Sequence, residues 1–426
     1  MTSIPDHPLR YSLANELHAR PFPSLKAPGR VAYIALKPAS KAASRNREEE
    51  REHLIALLDR FGAPHPQPGA IHWYGKLGRQ FLKWESHAEF MTYTLFMEDL
   101  ADTPFDPSAF DGFPKDWMAK APGTRIASAL FRIELQEGDD GIDEKSDQWF
   151  VRDSLAISRV LDDGLVIATD FHIDPAGHTR FALFARPATG ERRIGRVVQR
   201  LCELETYKTM SMLGLARARE MSPKLNDAEQ RLSDLVDNMG DENVSPAETL
   251  HALLAVSEEL ESVAAQSSFR FGATEAYESI VLQRIDVLRE ELFKGRQTIR
   301  EFMMRRFDPA MKTVKSTQSR LHTLIERAVR TSDLLRTRVD VERSEENQKL
   351  LASMDRRADL QLRLQQTVEG LSVVAISYYA VNLALYLLGP LTEWLHLEKH
   401  WMAAIATPPV VLIVWLMIRR IRKAMH

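Results

Sequence analysis

Residues 370–418 read GLSVVAISYYAVNLALYLLGPLTEWLHLEKHWMAAIATPPVVLIVWLMI, and this stretch decides how the rest of the chain is organised. Its first part, 370–388, is 19 residues without a charged side chain. A helix needs about 20 such residues to cross the hydrocarbon core of a bilayer. Its last part, 402–418, is 17 residues and also uncharged, with Trp401 and Trp415 placed to anchor its ends at the membrane–water boundary. Both runs lie too far from the N-terminus to form a signal peptide. The stretch reads as a helical hairpin that crosses a membrane twice, with a large soluble body upstream.

The flanks of the hairpin give its orientation. Arg356, Arg357 and Arg363 precede the first run, and Arg419, Arg420, Arg422 and Lys423 follow the second. The connecting loop sets Lys399 against Glu393 and Glu398. Basic residues stay on the cytoplasmic side, so both termini are expected there, in an inner-type membrane with lipid as the partner of the hairpin. Upstream, residues 310–369 contain neither Gly nor Pro. An unbroken helix from Pro309 to Leu388 would span 80 residues, or about 120 Å at 1.5 Å per residue. Such length without a stop signal implies a stalk running into a span. Leu321, Ile325, Ala328, Ser332, Leu335 and Val339 follow steps of four and three, a heptad seam. The seam is lost at Glu342 and Glu346 and partly recovers, in a shifted register, at Leu351, Met354 and Ala358. This suits packing in an oligomer or against neighbouring helices.

The 426 residues carry a net charge of −3 and one cysteine, Cys202, so no intramolecular disulfide is available. Charge is nevertheless uneven. Residues 294–338 hold 12 Lys or Arg against 4 Asp or Glu, and residues 222–262 hold 10 Asp or Glu against Lys224 and Arg231. Either these stretches steer together or they form two solvated faces. The basic one lacks the interleaved aromatic residues of a stacking surface, and no nucleic-acid partner is expected.

Residues 1–190 read as a cytoplasmic domain mixing strands and helices, and the fold class is α+β. Strands are expected over 30–36, 71–77, 79–85, 90–97, 124–135, 156–161, 165–171 and 179–185, and helices around 12–19 and 45–61. The acidic run 137–147 reads as a solvated loop. Residues 191–308 are expected to be a helical hairpin or bundle. Its helices run over 194–221, ended by Ser222-Pro223, then 224–238, 246–265 and 273–307. A stalk (309–369), the two spans and a basic tail (419–426) complete the chain.

Ser372, Tyr379, Asn382 and Tyr386, with Ala375 among them, share one helical face of the first span. A polar face in lipid must meet protein or water, so these residues either line a pore in a symmetric oligomer or bond neighbouring helices together. In the stretch NELHARP (15–21), Glu16 and Arg20 are i,i+4 partners, and His18 is the one candidate for a functional role. Lys83, Glu85, His87 and Glu89 fall on one face of an extended chain, two carboxylates and a His that offer a divalent metal site, and His172, Asp174 and His178, which flank a Pro-Ala-Gly turn, offer a second. Neither group meets a known metal-ligand spacing, and both read more simply as ordinary polar residues. There is no phosphate-binding loop, GxSxG elbow, HExxH or CxxC pair. No catalytic constellation stands out, no cofactor is called for, and an enzyme is not expected.

On NELHARPF (15–22), FLKWESHAEFMTYT (81–94) and the C-terminal hairpin, the chain resembles a bacterial family of uncharacterised, predicted membrane-anchored proteins, a domain of unknown function. Its overall layout is also similar to that of the CorA-type magnesium channels. That resemblance implies a homo-oligomer, a pentamer if it holds, in the bacterial inner membrane, conducting an ion such as a divalent cation. Ser372, Tyr379, Asn382 and Tyr386 would line the pore, and Arg419, Arg420, Arg422 and Lys423 would form a basic ring at the membrane face. The chain departs from that superfamily where Gly-Met-Asn is required: it reads Gly389-Pro390-Leu391. Magnesium selectivity therefore does not carry over. The alternative is a non-conducting anchored scaffold or sensor.

Overall fold

The computed structural model describes residues 4, 6–16, 22–39, 45–241, 244–395 and 399–425. They form two compact units: 1–242 with 251–331, and 243–250 with 332–426.

The first unit is built on a nine-stranded sheet: β1 (Gly29–Lys37), β2 (His72–Leu77), β3 (Gln80–Ser86), β4 (Met91–Met97), β5 (Thr124–Leu135), β6 (Ala156–Val160), β7 (Leu165–Thr169), β8 (Thr179–Ala185) and β9 (Glu291–Leu292). Their order is β2-β3-β4-β1-β5-β8-β7-β6-β9. The pairings are antiparallel except β5 with β8. The continuous apolar run of β1 has its physical reason here. Val31, Tyr33 and Ala35 enter one core and Ala32, Ile34 and Leu36 another, so this central strand is covered on both faces.

Helices cover those faces. After the short α1 (Arg10–Glu16), α2 (Arg47–Arg60) starts at Asn46, whose side chain accepts from the amides of Glu48 and Glu49 at 3.2 and 3.3 Å. It packs Leu54, Leu57 and Leu58 with Trp117 of α3 (Lys115–Met118) on one side of the sheet. The other side receives α5 (Glu191–Asp237), α6 (Pro246–Asp286), α7 (Ile299–Arg306) and the start of α8 (Asp308–Leu395) in a single large core.

Three expectations fail. The run 137–147 is a loop only as far as Gly141: α4 (Ile142–Trp149) forms in its second half, Ile142 is fully buried, and the acids are matched by arginines. Asp139 sits between Arg159 and Arg186, and Asp147 binds Arg296 at 3.1 Å. Pro223 does not end a helix, and α5 runs through it for 47 residues. The proline lies on the exposed side while Met221 and Leu225 are buried, so core packing overrides the local stop signal. The helices expected over 246–265 and 273–307 are instead α6, unbroken for 41 residues, then a loop with β9, then α7. Ser267 and Phe271, read as the break, are buried against the core side. The charge asymmetry is partly used inside the chain, as Arg320 binds Glu229 and Lys315 binds Glu278.

In the second unit, α8 continues from Ser332 and is followed by α9 (Lys399–Met425). Both helices have segments long and apolar enough to cross a membrane, of which only 6% and 11% is buried. A core helix of similar composition would be mostly covered. Within the apolar part of α8, Ser377 is buried and Val373, Ala380, Val381, Asn382, Ala384, Leu385, Leu388 and Gly389 are half-buried. In α9, Met402, Ala406 and Val414 are buried and Val410 is half-buried, steps of four along one side of the helix.

Candidate functional site

The FLKWESHAE segment places its charged side chains in the first unit through simple strand alternation. Leu82 and Trp84 of β3 point into the core beneath α2, so Lys83 and Glu85 point to the opposite face, under α5. There they meet Tyr33 of β1 and Thr92 and Thr94 of β4. The helix answers with Gln199, Cys202, Glu203 and Thr206, at i, i+3, i+4 and i+7, which put four polar or thiol side chains on one face. Between them lies a small enclosed space of about 20 Å³, room for one water. It opens into a cleft of about 280 Å³ walled by Phe22, His87, Arg200, Tyr207, Arg284 and Val287. Glu85, His87, Gln199, Glu203 and Tyr207 belong to both spaces.

A run of hydrogen bonds links floor to mouth. Lys83 and Glu85, 4% and 7% exposed, are paired at 3.1 Å. The Lys83 ammonium donates to Gln199 Oε1 at 2.8 Å, and the Gln199 amide donates to Glu203 at 2.9 Å. Arg284 then binds Glu203 from the mouth. Each buried charge thus has a partner, as burial demands. Arg200 is different. Its guanidinium donates to the Val287 carbonyl at 2.9 Å, and its pKa is lowered by burial and by the like charges of Arg196, Arg284 and Arg289.

His87 is held in the wall by Arg45. That buried guanidinium binds both oxygens of Glu50 and the His87 carbonyl, and also Ser86 Oγ at 3.2 Å and the Phe90 carbonyl at 3.0 Å. The turn between β3 and β4 is pinned from beneath, and the imidazole stacks on Phe90 with ring centres 4.5 Å apart. The two groups of the space that could serve as a nucleophile, the Cys202 thiol and the Tyr33 hydroxyl, are both kept protonated. Burial raises the pKa of the Cys202 thiol and of the Tyr33 hydroxyl well above their ordinary values, and Tyr33 shares a 2.5 Å hydrogen bond with Thr206.

The metal readings of the sequence do not come together. Glu89 is drawn away to Arg270 and to Tyr277, whose hydroxyl donates to it at 2.9 Å. His178 is buried and shares a 2.8 Å hydrogen bond with Ser128, while Asp174 accepts from the His178 amide at 2.9 Å. Among the described residues no three His, Cys, Asp or Glu are placed to hold a metal ion. Residues 17–21 and the side chains of Asn15 and Glu16 lie outside the described residues.

In the second unit, Ser372, Tyr379 and Tyr386 are exposed on α8 and Asn382 is half-buried. The Ser372 hydroxyl donates to the Val368 carbonyl one turn back at 2.8 Å. Arg419 and Arg420 are exposed near the end of α9, with Arg419 over the Trp415 ring at 5.1 Å. The side chains of Arg422 and Lys423 lie outside the described residues.

The sequence reading isolated Lys83, Glu85 and His87 but missed the α5 half of the cleft. The signal was present in QRLCELETY (199–207), where Gln199, Cys202, Glu203 and Thr206 recur on one face of a helix that buries Leu201 and Leu204.

No curated protein matches the chain. The family described as "Protein of unknown function (DUF3422)" matches residues 5–425, and the chain belongs to that family.

Proposed function

We propose that this is a membrane-anchored binding protein. Its α+β unit takes a small anionic molecule in the cleft between β3 and α5, and the C-terminal hairpin holds that unit at the cytoplasmic face of the membrane. The cleft carries the reading. Lys83 and Glu85 offset one another, whereas Arg200 in the wall feels Arg196, Arg284 and Arg289 with Glu203 as its one opposing charge, an acid already bound by Arg284. A carboxylate or phosphate group there relieves that repulsion and takes up guanidinium donors. Phe22, Tyr207 and Val287 offer contact to an apolar or planar remainder. The protonated state of Cys202 and Tyr33 at neutral pH favours binding over nucleophilic catalysis. The hairpin reading is supported by two long apolar helices left uncovered by the chain. The arginines around them favour cytoplasmic termini.

The test is thermal unfolding of the full chain in detergent with inorganic phosphate or succinate. One of these anions is expected to raise the midpoint of the wild type, and Arg200→Gln to abolish that rise while leaving the unliganded midpoint unchanged. No shift with either anion contradicts the reading.

A second reading is a conducting oligomer, and one observation favours it: the polar stripe of α8 is left uncovered by the chain itself. Ion flux into liposomes bearing the full chain tests it. Flux indistinguishable from empty liposomes, or unaltered by Asn382→Ala, removes it.

A further inference from the structure

The partial seam at Leu351, Met354 and Ala358 and the polar stripe beginning at Ser372 are one feature. From Ala358 the steps of three and four continue through Gln361, Gln365 and Val368 and arrive at Ser372 without a change of register. The seam then runs on through Ala375, Tyr379 and Asn382 to Tyr386. Every position in it is exposed except Asn382, which is half-buried. Leu362 and Leu364, 59% and 66% exposed, fall on its two flanks, which accounts for large apolar residues on a helix that nothing in the chain covers there. Between Gly370 and Ala380 the covered positions, Val373, Ser377 and Ala380, occupy the heptad positions on the far side of α8, so the seam faces away from them; from Val381 the cover widens and takes in Asn382.

We propose that this seam is the self-association surface of the protein, and that its occupant is the same seam of α8 in further copies of the chain, parallel and in register. Identity of the partner follows from the polar positions. Gln365 and Ser372 already bond within α8, to Glu369 and to the Val368 carbonyl, whereas Gln361 and Asn382 need a hydrogen-bond partner once covered, and in-register pairing brings each against its own copy. A heptad repeat kept for five turns of the pattern, through a change from charged to uncharged surroundings, also requires a partner with the same change at the same height. A second copy held in the same membrane supplies it. The parallel orientation rests on the anchored reading above; the seam does not.

Cysteine cross-linking tests this in the full chain, in membranes. Cys202 is buried, so the wild type gives a clean background. Gln361→Cys and Gln365→Cys lie on the seam, and Arg363→Cys and Gln366→Cys lie behind it; all four positions are exposed, so none disturbs a core. On oxidation the first two are expected to form covalent dimers and the last two to remain monomeric. Equal cross-linking at all four positions, or none on the seam, overturns the proposal. Cross-linking at 361 and 365 in a protein that fractionates as soluble would remove the anchor and keep the seam.

Discussion

The Lys83–Glu85 pair shows what a single residue contributes to the cleft. Both side chains are nearly inaccessible and neutralise each other at 3.1 Å. Lys83→Met removes the ammonium and leaves a buried carboxylate uncompensated, at a cost of about 3–5 kcal/mol. Replacing both, as Lys83→Met with Glu85→Met, is expected to recover most of that loss. Denaturant unfolding followed by the fluorescence of buried Trp84 checks it. A single variant as stable as the wild type would mean that water reaches Glu85. At this scale the sequence was legible only in part. The two-residue repeat Lys83, Glu85, His87 placed the groups on one face correctly, but their partners lie more than a hundred positions away in α5. Nothing local tells that Gln199 completes the set. The same long range hid the fate of Glu89, which is drawn off by Arg270 and Tyr277.

At the scale of elements, the strands and the long α8 were legible, and the extents of α5 and α6 were not. The strands are short runs with flanking turns, and their apolar patterns are local. The helices α5 and α6 are decided by what they pack against. Pro223 removes one amide from the helix ladder, yet its ring lies on the exposed side and Leu225 is fully buried on the other. Pro223→Ala is accordingly expected to stabilise the first unit by about 1–3 kcal/mol, read as a higher midpoint with an unchanged helical signal in circular dichroism. A lower midpoint would show that α5 needs the proline for its path. The close approach of α5 and α6 has a sequence cause as well: a Cβ on Gly214 would lie 2.3 Å from Thr274 Oγ1, so only glycine fits there. The acidic run became α4 because its carboxylates find arginines of β6, β8 and the β9 loop. The Arg159 guanidinium in particular holds Asp139 below the usual carboxylate range. Such pairs are invisible until the sheet brings them together.

At the scale of the whole molecule, the stretch 370–418 carries the most information. It placed two long apolar helices correctly from composition alone, because a run of about twenty uncharged residues has few other uses. It also carried the family resemblance together with the two N-terminal segments. We propose that these helices hold a binding unit at a membrane, with both termini on one side. The direct measurement is labelling of a Glu393→Cys variant with a membrane-impermeant maleimide in intact spheroplasts, beside an Ala424→Cys variant. Glu393→Cys is expected to react from outside and Ala424→Cys only after lysis. Protection of both until lysis, or reaction of both before it, would contradict it.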